Sequence, residues 1–324
     1  MTNIIETRAL TKIFPPNIVA VNQLSFTIKE GTIFSFLGPN GAGKTTTVRL
    51  LATLLIPTSG YASVLGKDIT DKVNSLELRK NIGILTDRPN LYLRLTARRN
   101  LFFFAKMYGL AHEEARRRIE ELARQFNLIE RLDSPTGTYS KGMKQKLGIL
   151  RAMIHSPPLL FLDEPTAGLD PIAQTNVRET IEMAAVEFDT TVFMTTHNLP
   201  EAERLADSIG IITNGKLITT GSTKDLQSQV SKSNQIMIRT TKELLQLSPS
   251  IKKIDGVLSF EFQEDNTTLN ATVSDMKEIT PIIVKTLVDN GISILEVRPI
   301  TKSLEDIYRQ IMDFSGPGLK ENAA

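Results

Sequence analysis

The sequence predicts an α/β fold over residues 1–225, followed by a smaller α+β domain over residues 235–314. As far as about Gly221, short strand-like runs alternate with helical stretches, which is the pattern of a sheet with crossover helices. Beyond a polar linker at residues 226–234, the order of the predicted elements becomes βαββαβ, which is typical of a ferredoxin-like module. We therefore expect two domains and, from the composition of residues 315–324, a disordered tail.

The composition is that of an ordinary globular protein and excludes several classes. Of the 324 residues, 41% are hydrophobic and 23% are charged, which argues against a disordered or fibrous chain. The 38 basic and 36 acidic residues nearly cancel, so the charge does not favour nucleic acid, and we expect no such partner. Cysteine is absent, which excludes disulfides and thiolate metal sites and is consistent with the cytoplasm. No window approaches the ~18 apolar residues of a membrane-spanning helix, so we expect the chain not to cross a bilayer by itself.

The first element with a chemical signature is a strand, a glycine-rich loop and a helix in succession. Thr32–Leu37 is a compact apolar run, and Val48, Leu51 and Leu55 recur at helical spacing after the loop. The loop at residues 38–45 reads GPNGAGKT and matches the phosphate-binding pattern GxxxxGK followed by Ser or Thr. Its backbone N–H groups and the positive end of the helix attract phosphate. We expect ATP to be bound by Gly38, Pro39, Asn40, Gly41, Ala42, Gly43, Lys44, Thr45 and Thr46.

Two residues of this loop have individual roles in the prediction. Lys44 is expected to neutralise the β- and γ-phosphates, and Thr45 to offer its hydroxyl to Mg²⁺, which prefers hard oxygen ligands. The alternative is a glycine-rich turn without a ligand, and the flanking strand and helix disfavour it. The sequence therefore predicts ATP and Mg²⁺ as the ligands of this loop.

Residues from about 90 to 150 are predicted to form a helical subdomain. Thr96 is a suitable N-cap for the first helix. Further along, Ile119, Leu122 and Phe126 recur at helical spacing among charged residues, which indicates a helix with one buried face.

The apolar run Leu159–Leu162 predicts a buried strand that ends in two carboxylates, Asp163 and Glu164. Because adjacent strand positions face opposite ways, we expect Asp163 to bind the metal with Thr45, and Glu164 to act as general base toward the attacking water. A strand that ends in two solvated acids is the alternative, and the phosphate loop earlier in the chain disfavours it.

Alternation and turn signals predict the elements of the second domain. A turn at Glu264–Asn266 separates its second and third strands, and Asn290-Gly291 ends its long helix. The predicted strands are 236–239, 258–262, 269–273 and 292–297, and the predicted helices are 242–247, 276–288 and 303–314.

The segment Tyr139-Ser140-Lys141-Gly142-Met143-Lys144-Gln145 lies upstream of Asp163 and resembles the signature motif of ABC ATPases. The resemblance covers residues 4 to about 221 and implies a P-loop ABC ATPase, in which a RecA-like core carries an antiparallel β-subdomain and a helical subdomain. It also implies a head-to-tail homodimer, in which the signature of one subunit closes over the ATP of the other. Ser140, Lys141 and Gly142 would then bind that nucleotide at the start of a helix, although a serine–glycine helix cap is the simpler interpretation of these residues alone.

Three further positions fit the family in register. Ala167–Asp170 resembles the D-loop, which lies at the dimer interface and couples the two sites. His197 resembles the switch histidine that contacts the γ-phosphate, so the resemblance implies catalysis by Glu164, His197 and Lys44. Phe14 occupies the place of the aromatic residue that stacks on adenine, with core packing as the alternative.

Three positions depart from the family pattern. Asp87 stands where the Q-loop glutamine is expected, and it can still face the metal or water, but its shorter arm alters the relay between nucleotide and permease. Lys141 replaces the first glycine of the signature and Met143 replaces its glutamine. With the segment Leu304–Tyr308, these substitutions resemble the drug-resistance type of exporter ATPase.

Together the motifs predict an ATP-hydrolysing subunit, peripheral on the inner face of the cell membrane, that powers a separate permease and exports a hydrophobic or amphipathic compound. One alternative is a soluble ABC protein acting on ribosomes or DNA, which the lack of a second ATPase unit, a long coiled coil or a zinc-binding insert disfavours. Another is a module that binds ATP without hydrolysis, which would leave Lys44, Asp163, Glu164 and His197 idle. The second domain is expected either to regulate or assist assembly, or to stabilise the dimer.

Overall fold

A computed structural model describes residues 2–87, 89–230, 234–300, 305–306 and 308–309 of the protein. The chain divides into two compact units, the first ending at Thr223 and the second beginning at Lys224. The predicted boundary lies at residue 225.

The first unit is built from strands and helices that alternate along the chain. Its described strands are β1 (Asn3–Phe14), β2 (Ile18–Lys29), β3 (Ile33–Leu37), β4 (Ser59–Val64), β5 (Lys67–Asp68), β6 (Ile82–Leu85), β7 (Leu159–Asp163), β8 (Thr191–Thr196), β9 (Ser208–Thr213) and β10 (Lys216–Gly221). Its described helices are α1 (Lys44–Leu51), α2 (Lys72–Asn81), α3 (Ala97–Met107), α4 (His112–Gln125), α5 (Lys141–Met153), α6 (Pro171–Val186) and α7 (Leu199–Leu205).

The central sheet has the strand order β10-β9-β3-β8-β7-β6. All its pairings are parallel except that of β9 with β10. Every residue of β3, β7 and β8 is buried, as expected for strands covered on both faces. Phe34, Phe36, Phe161 and Phe193 pack between neighbouring strands with ring centroids 5.5–5.9 Å apart. Because the carboxyl ends of parallel strands meet at one edge, the segments that follow β3, β6, β7 and β8 lie at the same edge of the sheet.

A second, antiparallel sheet has the order β2-β1-β4-β5. Buried and exposed residues alternate over the second half of β2, as expected for a strand with one face on the core. Leu24 and Ile28 of this sheet share one apolar core with Phe36, Val48 and Leu51 of the central sheet and α1. This arrangement confirms the predicted antiparallel β-subdomain.

Helices α3, α4 and α5 form the predicted helical subdomain. The Thr96 hydroxyl accepts a hydrogen bond from the Arg99 N–H at 3.2 Å, which confirms the predicted N-cap of α3. Leu101, Ile119 and Leu147, one from each helix, are fully buried in a common core. Two short 3-10 turns, Ile129–Arg131 and Thr136–Thr138, connect α4 to α5.

The second unit combines a four-stranded sheet with helices. After α8 (Thr223–Val230) come β11 (Gln235–Thr240), α9 (Ser248–Lys252), β12 (Val257–Phe262), β13 (Thr268–Val273), α10 (Met276–Asp289) and β14 (Ile294–Pro299). The strand order is β12-β13-β11-β14 and every pairing is antiparallel. This is the split βαβ arrangement of the ferredoxin-like fold, as the order of the elements predicts.

Two details of the second unit differ from the prediction. The predicted helix at 242–247 is wrong, because a 3-10 turn occupies Leu245–Leu247 and α9 begins at Ser248. Pro249 has no N–H to donate and clashes with a carbonyl one turn earlier, so it starts a helix rather than continuing one. The last strand begins at residue 294 instead of 292, because the Ile292 N–H still bonds the Leu287 carbonyl of α10 at 3.1 Å.

The end of the chain is described only in part. Of the predicted helix 303–314, residues Glu305, Asp306, Tyr308 and Arg309 are helical, and the other positions lie outside the described residues. The predicted disordered tail at 315–324 also lies outside them. Within the part of the chain that is described, no helix is long and apolar enough to cross a membrane.

Candidate active site

The loop between β3 and α1 lines a cavity of about 210 Å³. The cavity walls are formed by Asn40, Gly41, Ala42, Gly43, Lys44, Thr45 and Thr46, together with Ala20 and Glu164. At Gly43, φ is +101°, and a Cβ would collide with the carbonyl oxygen of Ala20. At Gly38, a Cβ would collide with the carbonyl oxygen of Ile212. The loop can therefore approach β2 and β9 this closely only with glycine at both positions.

The side chain of Lys44 is buried inside this loop. The residue is 6% exposed, and its Nζ donates to the carbonyl oxygens of Gly38 at 2.7 Å and Pro39 at 3.1 Å. Gly38 and Pro39 do not line the cavity wall, but they belong to the site because their carbonyls bond Lys44. A buried ammonium group at the start of α1, where the first helical N–H groups have no partner within the helix, gives the cavity the character of an anion site.

Asp163 ends β7 and lies next to the start of α1. Its Oδ1 accepts hydrogen bonds from the Thr45 hydroxyl at 3.1 Å and from the Thr195 hydroxyl at 2.6 Å. The side chain is 2% exposed, so these bonds fix it firmly. The structure thus brings together Thr45 and Asp163, two of the three oxygen donors that the sequence predicts for the metal; the third, Asp87, is described below.

Glu164 follows Asp163 with an uncommon backbone conformation. Its φ is +51°, in the left-handed region that residues other than glycine rarely adopt. Its N–H donates to the hydroxyl of Thr195 at 3.1 Å, and the neighbouring strand β8 thereby holds the turn. Strained backbone of this kind persists only where the surroundings over-determine it, and it is frequent at active sites.

The three residues predicted to be catalytic meet at the Glu164 carboxylate. Lys44 Nζ lies 3.0 Å from Glu164 Oε1 as an ion pair that is not aligned as a hydrogen bond. His197 Nδ1–H donates to Glu164 Oε2 at 2.8 Å, and the histidine is half-exposed. Glu164 and His197 come directly after β7 and β8, which are hydrogen-bonded neighbours in the sheet. The sequence predicts each residue separately, whereas the contact between acid and histidine is visible only in the structure.

Glu201 is a buried acid at this site that the sequence did not single out. It lies in the first turn of α7, is 2% exposed, and accepts hydrogen bonds from the hydroxyls of Thr166 and Thr196. Burial raises the pKa of Glu201, and the two hydroxyl hydrogen bonds oppose that rise. An acid in the first turn of a helix is an ordinary feature, so the sequence carries no signal of its burial.

The signature residues lie at the start of α5. Ser140 is the N-cap, and its hydroxyl accepts from the Met143 N–H at 3.2 Å, as the simpler interpretation of a helix cap predicts. Lys141 Nζ donates to the carbonyl oxygens of Ala167 at 3.1 Å and Gly168 at 2.9 Å, within the predicted D-loop. Gly142 is buried against α6, and a Cβ there would lie only 2.8 Å from the Cβ of Ala173. The signature and the D-loop of one chain are therefore in direct contact.

Asp87 and Phe14 lie at the margins of the site. Asp87 is exposed in a bend after β6, which pairs in parallel with β7, so it lies at the same sheet edge as Asp163. Phe14 ends β1 and is partly buried, with Lys12 Nζ 5.2 Å from its ring centroid. Its hairpin partner β2 contributes Ala20 to the cavity. The roles of Asp87 and Phe14 stay predictions.

The residues present fit ATP and Mg²⁺. The cavity lies at the N-terminus of α1 and contains the buried cation of Lys44, both of which suit phosphate, and at Gly41, with φ +81°, a Cβ would meet no atom within 4 Å. Thr45 and Asp163 provide adjacent hard oxygens, while no cluster of three or more His, Asp or Glu side chains occurs among the described residues. A small number of protein ligands is enough for Mg²⁺, because this ion usually keeps several waters and also binds substrate phosphates.

Several known proteins are similar to this chain in sequence. Residues 21–167 match the family model described as ABC transporter. The chain is 34% identical to the bacitracin transport ATP-binding protein BcrA of Bacillus licheniformis over 96% of this chain and 98% of that one. It is 35% identical to the daunorubicin/doxorubicin resistance ATP-binding protein DrrA of Streptomyces peucetius over 95% and 92% of the two chains.

A solved structure supports the same assignment. The dimeric ATP-binding cassette MJ0796, in a post-hydrolysis state bound to ADP and Pi, superimposes with a TM-score of 0.61 and 25% identity. The match covers 67% of this chain and 98% of that one. With this similarity over nearly its whole length to ATP-binding proteins of ABC transporters, the chain belongs to the ABC transporter family as an ATP-binding, ATP-hydrolysing cassette.

Proposed function

We propose that the chain is the motor of an exporter, bound to a separate membrane permease at the inner face of the cell membrane. The observation that carries the ATPase part of this proposal is the meeting of Lys44 and His197 at the Glu164 carboxylate. The transport part rests on relatives whose names refer to bacitracin transport and to daunorubicin and doxorubicin resistance. By analogy with them, the cargo is a hydrophobic or amphipathic compound such as an antibiotic or a lipid.

In this proposal Glu164 is the general base. Its carboxylate accepts a proton from the attacking water, while His197 steadies the same carboxylate through Nδ1–H and Lys44 neutralises phosphate charge. When bound, Mg²⁺ would neutralise charge on the phosphate oxygens, and Thr45 and Asp163 are the residues that would hold it. Phe14 would stack on the adenine, and Asp87 would face the metal or water at the sheet edge.

Two copies are required to complete the site in this proposal. The start of α5, where Ser140, Lys141 and Gly142 lie, packs on the D-loop and α6 rather than lining the cavity of its own chain. In a head-to-tail dimer it would close over the partner's γ-phosphate. Because the Lys141 side chain is engaged with the D-loop, its backbone N–H is the group proposed to face the nucleotide.

An exposed apolar patch on the helical subdomain is the proposed surface for the permease. Tyr92 and Phe103 are 49% and 43% exposed and stack edge to face with centroids 5.1 Å apart. Leu93 adjoins Tyr92, and Met107 lies one helical turn beyond Phe103, so both extend the patch. Exposed apolar patches of this kind are typical of protein interfaces.

The decisive test of the hydrolytic proposal is Glu164→Gln. The amide cannot accept a proton from water, so we expect turnover to fall by at least about 100-fold while ATP still binds. Glu130→Gln, an exposed acid in the 3-10 turn after α4, is the matched control and should leave turnover unchanged. Turnover by Glu164→Gln close to that of the parent protein would rule out the base assignment.

The transport part is tested by purifying the tagged protein from gently solubilised native membranes and identifying its companions by mass spectrometry. A multi-span membrane protein in near-stoichiometric amount is the expected result. Ribosomal or DNA-associated proteins without a permease would overturn the transport proposal and leave the ATPase chemistry intact.

A further inference from the structure

Behind the Glu164–His197 pair lies a buried carboxylate that bonds both of the segments carrying these residues. Glu201 Oε1 accepts from the Thr166 hydroxyl at 2.6 Å, and Oε2 accepts from the Thr196 hydroxyl at 2.5 Å. All three side chains are at most 4% exposed. The two bonds use one oxygen each, so a single carboxylate bridges two segments that are 30 residues apart in the chain.

The two threonines that donate these hydroxyl bonds lie close in sequence to Glu164 and His197. Thr166 is two residues after Glu164, within the turn that follows β7, and Thr196 is the last residue of β8, directly before His197. The turn at Glu164 has a strained φ of +51°, which needs support from its surroundings. Glu201 supplies such support from the side of the protein core.

The segment from Thr196 to Glu201 is further closed on itself. The Asn198 N–H donates to the Thr196 hydroxyl at 3.0 Å, and the Glu201 N–H donates to the Asn198 side-chain oxygen at 3.1 Å. The Thr196 hydroxyl therefore accepts from Asn198 and must give its own proton to Glu201. The direction of the hydrogen bond from Thr196 to Glu201 is therefore fixed.

We propose that Glu201 is a positioning residue for ATP hydrolysis, which holds Glu164 and His197 at their contact distance through the hydroxyls of Thr166 and Thr196. The inference rests on the proposed roles of Glu164 and His197. Misplacing a reacting group by ~1 Å can cost about 100-fold in rate, so a bridge that fixes two catalytic segments relative to each other has a large effect on turnover. Glu201 does not line the cavity, so in this proposal it acts through its two hydroxyl partners.

A purely stabilising role makes a different prediction. Buried carboxylates are costly, and an apolar side chain of similar volume in the same place is often equal or better for stability. The charged groups that face Glu201 are Arg178 of α6, which lowers its pKa, and Glu164, which raises it, so the site is not neutralised by a direct salt bridge. A costly group retained next to the catalytic pair is what positioning, rather than stability, requires.

The test compares variants that differ by one hydroxyl. Thr166→Val and Thr196→Val each remove one donor to Glu201 at nearly constant shape, whereas Thr166→Ser and Thr196→Ser keep it. We expect each valine variant to lower kcat by at least about tenfold at an ATP Kd near that of the parent, and to have a lower unfolding midpoint because buried groups are left unpaired. Each serine variant should restore kcat to within about twofold.

Glu201→Met is the second variant, because a side chain of similar length without oxygen atoms cannot accept from either hydroxyl. It should also lower kcat by at least about tenfold at unchanged KM. Glu203→Met, which changes an exposed acid on the same helix, is the matched control and should leave kcat unchanged.

The possible outcomes separate this inference from the proposed function. Parent-like kcat in the valine variants and in Glu201→Met, with Glu164→Gln inactive, overturns the positioning role alone. If the valine variants lose ATP affinity by as large a factor as they lose kcat, the positioning role is overturned in favour of a structural role. Serine variants as slow as the valine variants overturn it in the same way. Parent-like turnover in Glu164→Gln overturns the proposed function itself.

Discussion

Lys44 is a buried cation whose present partners are two loop carbonyls and one carboxylate. The carbonyls of Gly38 and Pro39 satisfy its hydrogen bonds, and Glu164 balances its charge at 3.0 Å. A phosphate in the same cradle would add a stronger, charge-assisted partner. At the scale of single residues, the affinity for ATP is therefore expected to depend heavily on this side chain.

Lys44→Ala should weaken ATP binding by at least about 30-fold, because truncating one member of a buried charge pair costs about 2–5 kcal/mol. Isothermal titration calorimetry of the variant with ATP measures the effect directly. Lys72→Ala, which removes an exposed lysine at the start of α2, is the control and should leave the affinity unchanged. An ATP Kd for Lys44→Ala equal to that of the parent would contradict the proposed role.

His155 is a buried residue outside the Glu164–His197 contact, and it makes the free energy of unfolding depend on pH. Its ring stacks on Tyr108 with centroids 3.6 Å apart, Nε2–H donates to the Ile82 carbonyl at 3.2 Å, and Nδ1 is buried without a partner among the described residues. Burial lowers the pKa of His155 from 6.5 to about 4. The folded protein therefore holds a neutral imidazole over a range in which the unfolded chain takes up a proton.

The sign of the effect follows from this difference. Between pH 6.5 and about 4 the unfolded state binds more protons at His155, so the free energy of unfolding falls as pH falls. The slope from this group is at most about 1.4 kcal/mol per pH unit, and it vanishes below the folded pKa. The free energies of unfolding of the parent and of His155→Phe, measured by urea titration, should converge as pH is lowered from 6.5 to about 4. Parallel curves would show that His155 does not titrate differently in the two states.

At the scale of elements, α5 joins the signature to the segment that follows β6. Ser140 caps its first turn, and Arg151 near its end donates to the carbonyls of Ile84 at 3.0 Å and Asn90 at 3.4 Å. Between them, Gly148 allows a close approach, since a Cβ there would lie 2.7 Å from Leu85 Cδ1 and 2.8 Å from Pro89 Cβ. The helix thus contacts both sides of the segment that carries Asp87.

Gly148→Ala sets two known effects against each other. Alanine gains about 1 kcal/mol of helix propensity over glycine, whereas overpacking a tight core costs about 1–3 kcal/mol. The Leu85 methyl group can turn away but the Pro89 ring cannot, so we expect net destabilisation, measured as a lower urea midpoint. In a double-mutant cycle with Leu85→Ala, the combined loss should be smaller than the sum of the single losses. A higher midpoint for Gly148→Ala would show that propensity outweighs packing.

How far the sequence alone could go is also clearest at this scale. Elements set by local signals follow from it: the strand, loop and helix around Lys44, the N-cap at Thr96 and the alternating strands of the second unit. The helix predicted at 242–247 was wrong because Pro249 shifted the helix start, a local effect that outweighed the apolar pattern.

The site shows the complementary limit. Motif order placed Lys44, Asp163, Glu164 and His197 in one site, because strand ends at the same sheet edge must lie close together. The bridge made by Glu201 and the contact of Lys141 with the D-loop could not be predicted, since they depend on side chains far apart in sequence. Nothing in the residue types alone distinguishes these two charges from ordinary solvated ones.

At the scale of the whole molecule, the proposed site is completed by a second copy. The cavity and the start of α5 belong to one chain, but α5 packs on its own D-loop and α6, so a nucleotide in the cavity would meet the signature of a partner. ATP binding should then drive dimerisation, and hydrolysis should reverse it. A variant that binds ATP without hydrolysing it is expected to accumulate as the closed dimer.

We predict that Glu164→Gln with MgATP changes from the 36.0 kDa monomer to a species of twice that mass in light scattering. Adding Lys141→Glu should abolish the dimer but not ATP binding. The change removes the bonds of Lys141 to the D-loop and puts a negative charge beside the backbone N–H that is proposed to face the partner's γ-phosphate, while the phosphate loop is untouched. Lys242→Glu, the same charge change at an exposed position of the second unit, should leave the dimer intact. If Glu164→Gln with Lys141→Glu still dimerises with MgATP, the signature does not lie over the partner's nucleotide, and the head-to-tail arrangement must be abandoned.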